Sequence, residues 1–293
     1  MAYLALFLAM VLVGVNVPAG KAVVEHMPVF LFLALRCIVA CAILLPILAA
    51  RRQLAWPDRG QFRDLTIQAF FGVFLFSLFI LWGVERTSAM DAGIITSTIP
   101  AAVVLLSVLL LREGLGGARF LAVGLSVLGV AVLNLGGGGA GGGMLTGNLL
   151  VVAAVFCEAL FVVIGRRAVS AGQSPLAATM WLNLLALAMC LPVGLWQLTE
   201  TDLFAIPPAT WGVAFYYAVT ASVLAFSLWF YGVSRVQAGT AGIFTGVIPL
   251  AALGGSMLLL GEMPVASHLA GLAAVLASIV IGVRADRLRP ASA

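Results

Sequence analysis

The stretch LWGVERTSAMDAGIITSTIPAAVVLLSVLLLRE, Leu81 to Glu113, decides the fold because the chain carries it twice. FYGVSRVQAGTAGIFTGVIPLAALGGSMLLLGE, Phe230 to Glu262, matches it without a gap at a constant offset of 149, with 16 of the 33 positions identical. The identities include Gly83/Gly232, Arg86/Arg235, Gly93/Gly242, Thr96/Thr245, Pro100/Pro249 and Glu113/Glu262. Shared apolar composition alone gives roughly a tenth to a sixth identity, so this is an internal repeat and the chain reads as two related halves.

Composition names the solvent of those halves. Of 293 residues, 63% are hydrophobic and 9% charged, against about 25% charged in a soluble domain. No water-soluble core absorbs that much apolar surface, and the chain reads as an integral membrane protein. Runs long enough to cross a hydrocarbon layer of about 30 Å fall at 3–24, 29–50, 63–84, 91–111, 117–135, 147–166, 175–198, 209–232, 239–260 and 266–284. Unbroken runs without strand alternation predict an all-α protein of ten transmembrane helices joined by short connections.

The basic residues orient it. With the N-terminus in the cytoplasm, Arg51, Arg52, Arg59, Arg63, Arg112, Arg119, Arg166, Arg167, Arg235, Arg284, Arg287 and Arg289 all fall at cytoplasmic ends, twelve of the fifteen Lys and Arg. Lys21 and Arg86 fall outside and Arg36 lies within helix 2. Excess positive charge on the cytoplasmic side predicts a multi-pass protein of the cytoplasmic (inner) membrane with both termini inside.

Five helices per half is an odd number, so the two copies enter the membrane from opposite sides and form an inverted-topology repeat. The predicted division is residues 1–135, a Gly-rich linker at 136–146 containing GGGGAGGG, residues 147–284 and a cytoplasmic tail at 285–293. That glycine run follows no strand and lacks the Lys and Ser/Thr of a phosphate loop. The first apolar stretch has no positive residue before Lys21 and no convincing cleavage site, so it reads as a spanning helix and not a signal peptide. Cys37, Cys41, Cys157 and Cys190 sit in apolar segments with no CxxC spacing, which predicts small packing residues, no disulfide frame and no metal site.

The opening GVNVPAGKAVVEHMPVFLFLALRC, with Gly14, Asn16, Lys21, Pro28 and Arg36 in order, and the paired endings LLLRE and LLLGE resemble the EamA type of the drug/metabolite transporter superfamily. The resemblance spans essentially the whole chain. Within that family the amino-acid exporters of the YddG and RhtA kind look most similar, which implies export of small metabolites such as amino acids. Helix 6 of the family carries an aromatic residue at its centre where this chain has Cys157 and Glu158, so the family's pocket does not transfer as it stands.

The residues lead to transport independently. Inverted repeats let one sequence pack in two nearly equivalent ways around a site at their interface, the basis of alternating access. No HExxH, nucleophile elbow or Walker sequence is present, so neither an enzyme nor an ATP-driven pump is expected, and no cofactor is called for. The expected partners are a small-molecule substrate and the lipid bilayer, not nucleic acid; the sequence leaves the oligomeric state open, a monomer being compatible with it. A proton-coupled exporter of cationic drugs or amines is the second transport reading, and a membrane-embedded enzyme or lipid-translocating protein the reading of another class.

Function then falls to the few polar groups in apolar helices. Glu158, eleven residues into helix 6, is either a ligand for a substrate amine or a proton site, or a structural carboxylate paired with Arg36 or bonded to neighbouring hydroxyls. Arg36 offers a fork for a substrate carboxylate, a bond to backbone at a kink, or a reach to the outer interface. Asn16 precedes Pro18, which interrupts its helix, so amide and freed carbonyls can face a cavity or glue helices together. Lys21 snorkels to the interface or binds solute. Pro18, Pro100 and Pro249 are candidate flex points, with static kinks as the alternative. Thr96 and Thr245 either satisfy carbonyls freed by the prolines or face the pathway. Glu113 and Glu262 are expected to cap the next helix. Among many aromatic residues, Phe79, Trp181 and Phe226 are candidates to line the pathway.

Overall fold

The computed structural model describes residues 1–54, 56–96, 98–111, 121, 124, 125, 128, 142–168, 174–233, 235, 244 and 247–287. Its elements are helical. Helix α1 is Ala2–Val24 and α2 is Val29–Ala50. Helix α3 covers Arg59–Arg86, with a π-helical stretch at Ala69–Leu75. Two short helices follow, α4 (Ala89–Thr96) and α5 (Ile99–Leu111). Helix α6 is Gly142–Ala168 and α7 is Pro175–Glu200. Helix α8 joins Pro208–Tyr217, a π-helical stretch at Ala218–Ala225 and Phe226–Val233. Helix α9 is Ile248–Leu260 and α10 is Ala266–Arg287.

Local chemistry starts these helices where expected. Asp58 accepts from the Gln61 amide at 2.8 Å while the Gln61 side chain accepts from the Asp58 amide at 3.1 Å, a capping box at the head of α3. Ser174 accepts from the Ala177 amide and Pro175 occupies the first turn of α7. Six of the described helices are long and apolar enough to cross a membrane: Ala2–Val24, Val29–Ala50, Arg59–Arg86, Met144–Phe161, Pro175–Glu200 and Pro208–Gly232. Large side chains such as Leu4, Ile38, Leu45, Leu149 and Leu195 are exposed on their flanks, as lipid-facing residues are. The expected span at 117–135 and the glycine run through Ala140 lie outside the described residues, apart from isolated positions.

The structure corrects the picture of helix 4 as one kinked span. It is two helices, α4 ending at Thr96 and α5 starting at Ile99, with Thr98 in a turn and Pro100 in the first turn of α5. Pro249 likewise stands in the first turn of α9. A first turn tolerates proline because its missing N–H has no intrahelical partner anyway. Hydroxyls take up carbonyls around the break: Thr96 donates to the Gly93 carbonyl at 2.9 Å and Thr98 to that of Ile95 at 2.7 Å.

The helices pack across the two halves. Helix α2 lies along α7, α3 on α6, and α8 on α1; α4 and α5 pack on α6 while α9 packs on α1. The two π-helical stretches begin at Ala69 and Ala218, which are 149 residues apart, the offset of the sequence repeat.

Glycine sets how closely these helices approach. A Cβ on Gly93 of α4 would lie 2.4 Å from the Ala252 Cβ of α9, and one on Gly14 of α1 would lie 2.6 Å from the Ile248 carbonyl oxygen. Such contacts are how helices associate in lipid, where no hydrophobic force drives them together. Replacing Gly93 by Val is therefore expected to cost about 1–3 kcal/mol through overpacking, read as a lower melting temperature of detergent-solubilised protein. Gly254→Ala, where a Cβ meets nothing within 4 Å, is expected to leave it unchanged or slightly raised.

Candidate functional site

A central cavity lies where the halves meet. Its wall takes Asn16 and Val17 from α1, Arg36 from α2, Phe76 and Ser77 from α3, Thr96 and Ile99 at the α4/α5 break, Glu158 and Phe161 from α6, Tyr217 and Phe226 from α8 and Ile248 from α9. The lining is mostly apolar and aromatic with a few polar groups, the usual make-up of a small-molecule site.

Arg36 is 3% exposed and donates through one terminal nitrogen to Ser77 Oγ at 2.8 Å. Its guanidinium carbon lies 5.7 Å from the centre of the Tyr217 ring. The Nε proton has no hydrogen-bond partner although it is buried. A guanidinium held by one hydroxyl and one ring, with a donor to spare, is set up to receive a carboxylate. Asn16 donates to the Leu12 carbonyl at 2.8 Å and accepts from the Thr220 hydroxyl at 3.1 Å, so its amide ties α1 to the π-helical stretch of α8. Pro18 lies inside α1 and faces α9, where a Cβ on Gly255 would come within 3.0 Å of its ring.

Glu158 is half-buried, lines the cavity and makes no hydrogen bond or ion pair with a described residue. The expected alternative of a structural pair with Arg36 is absent among the described residues. Phe226 also lines the cavity and stacks on Phe230, with Phe161 set edge-on to both.

Phe79 and Trp181 are placed elsewhere. The α3 residues facing the cavity are Gly72, Phe76, Ser77, Ile80, Leu81 and Val84. At about 100° per residue, Phe79 points well away from the centre of that face, and it packs against the surrounding core. Trp181 is buried near the start of α7 against Trp56 at 5.1 Å and Phe62 at 6.5 Å, outside the cavity. Sequence reasoning passed over Ser77, Tyr217 and Thr220, which hold Arg36 and Asn16. Aromatic crowding in α3 and α8 hid the periodicity that would have singled them out.

The end of the molecule that carries Lys21 is closed by a polar network between halves. Glu262, just past α9, accepts from Lys21 Nζ at 3.0 Å and from the Ala89 amide at 3.1 Å on one carboxylate oxygen, and from the Met90 amide at 3.0 Å on the other. Capping by Glu262 was expected on the next helix; the structure places it on α4, in the other half, where the orphan amides of a helix start await an acceptor. Lys21 is correspondingly an ion-pair partner and not a snorkelling residue, with both side chains about one-fifth exposed, 21% and 19%. Asp91 pairs with His268 Nε2 at 3.2 Å, and the Val265 amide donates to the other ring nitrogen, which puts the imidazole proton on the Asp91 side. Gln197 of α7 accepts from the Leu31 amide at the start of α2 at 3.0 Å. Glu113, the repeat counterpart of Glu262, and Thr245 lie outside the described residues.

Known proteins fit this architecture. The model of the EamA-like transporter family matches residues 1–135 and 145–284. An uncharacterized transporter of Bacillus subtilis (strain 168), YetK, is 37% identical over 287 residues, covering 96% of this chain and 86% of that one. An uncharacterized transporter of Archaeoglobus fulgidus is 25% identical over 274 residues, covering 92% and 94%. One solved crystal structure superposes with a TM-score of 0.68 over 99% of both chains at 20% identity, a likeness of fold. None of these relatives carries a substrate in its name, so the narrower likeness to amino-acid exporters draws no support from them. With both halves matched and the cavity between them, the chain belongs to the EamA-like transporter family.

Proposed function

We propose that the protein is a secondary or facilitative carrier that exports small amphipathic metabolites, amino acids foremost, across the cytoplasmic membrane by alternating access. The observation that carries this reading is the cavity itself. Both halves build it, and its apolar wall holds a cation with a spare donor, Arg36, and a carboxylate, Glu158, that has no partner among the described residues. A zwitterion with an apolar side chain answers all three features: its carboxylate takes Arg36, its ammonium takes Glu158, and its side chain rests on Phe76, Phe161 and Phe226. Asn16 supplies a further polar contact beside them.

Two inverted halves, 1–135 and 147–284 about the linker 136–146 and followed by the tail 285–293, are the arrangement we infer. The exchange pattern of helix packing and the 149-residue spacing of the π-helical stretches support it. We place both termini in the cytoplasm on the distribution of basic residues, which puts the Lys21–Glu262 network outside. Pro18, Pro100 and Pro249 serve as points where α1 and the breaks before α5 and α9 flex between states. Replacing Pro100 or Pro249 by Ala is expected to shift single-cysteine accessibility between the two faces; unchanged accessibility and flux would remove them from this role.

Purified protein in proteoliposomes is expected to show saturable flux of labelled amino acids, and Arg36→Lys to lower it about tenfold or more, because an ammonium lacks the planar fork. Absence of flux for every amino acid in a broad panel would overturn the assignment. Glu158, a carboxylate in the cavity wall without an ion-pair partner among the described residues, also favours a second reading, proton-coupled export of cationic amines. Flux that follows an imposed pH gradient in the wild type and ignores it in Glu158→Gln is the outcome expected of that reading, whereas gradient-independent flux that survives the substitution is expected of the facilitative carrier.

A further inference from the structure

The network on the Lys21 face is built as a switch and not as a brace. Both oxygens of the Glu262 carboxylate are engaged, and through them one side chain joins α1, α4 and the end of α9. Its reach depends on Gly261, whose φ of 65° ends α9 in the left-handed region and turns the chain toward α4. Below it, Gly93 packs against Ala252 and Gly255 against Pro18, so α9 lies close to both α4 and α1. Asp91 and His268 add a tie between α4 and α10.

Each of the groups that Glu262 satisfies has an alternative partner in water. The amides of Ala89 and Met90 are orphan donors at a helix start, and Lys21 is partly exposed. If α9 withdraws, water entering the gap hydrates all three, so the closed and open arrangements exchange one set of hydrogen bonds for another of similar strength. A contact of that kind biases a two-state equilibrium without freezing it.

We propose that Glu262 is the latch of the gate on the Lys21 face: the carrier opens to that side only when this carboxylate leaves Lys21 and the amides of Ala89 and Met90. The inference rests on the alternating-access reading above, and it is tested without any solute. In full-length protein with Cys37, Cys41, Cys157 and Cys190 replaced by Ala, the reporter is Val84→Cys. Val84 lines the cavity near the end of α3, on the Lys21 side. A membrane-impermeant maleimide is applied to liposomes from the face opposite a C-terminal tag, one crossing of α10 away from Glu262.

Glu262→Gln, which keeps the size of the side chain and loses its charge, is expected to raise the labelling rate about five- to tenfold, the net size of one ordinary hydrogen bond, since the amide oxygen of Gln still accepts from the α4 amides. Lys21→Met is expected to do the same, and the double variant to add less than the product of the two because they break one pair. In the same variants a Met10→Cys reporter, at the other end of the cavity, is expected to label more slowly from the tag side, since opening one gate closes the other. Rates within twofold of the parent in both single variants would overturn the latch. So would a rise at both reporters, which marks general loosening. If Glu262→Gln does not fold, Lys21→Met decides alone. Intact amino-acid flux with unchanged labelling removes the latch and keeps the carrier; the converse removes the substrate assignment and keeps the latch.

Discussion

Everything in this structure answers to the absence of water along the hydrocarbon core. A backbone N–H or C=O left open there costs several kcal/mol, so the chain is helical wherever its neighbour is lipid and departs from the α-helix only where something polar stands ready. Three departures among the described residues are supplied in this way. At the break between α4 and α5, Thr96 and Thr98 return hydroxyls to nearby carbonyls. In the π-helical stretch of α8, the Ser222 carbonyl receives the fully buried Asn183 amide at 3.0 Å. Beside Pro18, Asn16 turns its own amide back onto Leu12 and its carbonyl toward Thr220. These irregular places cluster around the cavity because only there do polar side chains from several helices converge.

The same rule governs helix ends. A helix start presents orphan amides, and on the Lys21 face three of them are satisfied from the other half of the chain, one at α2 by Gln197 and two at α4 by Glu262. Caps taken from across the interface make closure of this face a bonding event between halves. Glycine-mediated contacts do the complementary work by shape: Gly14, Gly93 and Gly255 let backbones approach to distances that any side chain would prevent. Polar caps near the surface and close glycine contacts beneath them both join the two halves at this end.

Much of this was legible in residue order. Charge scarcity, the lengths of the apolar runs and the duplicated stretch pointed to a membrane-embedded helical protein of two halves, and the family comparison agrees on the membrane and transport parts of that reading. Asn16, Arg36, Glu158 and Phe226 stood out because polar groups are costly in lipid or because aromatics cluster, and all four line the cavity. Phe79 and Trp181 did not follow, since a helix that is apolar on every side gives no period from which to read its inward face. Likewise Pro100 marked an irregularity, but whether it sits at a kink or at the head of a new helix depends on the bonds its neighbours make.

What the sequence determined by itself was therefore what solvent and length set: the helical class, the presence of long apolar spans, and the short roster of side chains too polar to face lipid. Tertiary structure alone decided partnership. Glu262 sits beside α10 in sequence and on α4 in space, Lys21 is 241 residues from its carboxylate, and Ser77 and Tyr217 became supports of Arg36 only when α3 and α8 met around it. The physical reason is that lipid sorts residues by polarity and not by identity of partner, so which acceptor meets which donor is settled by the packing of helices that sequence distance does not encode.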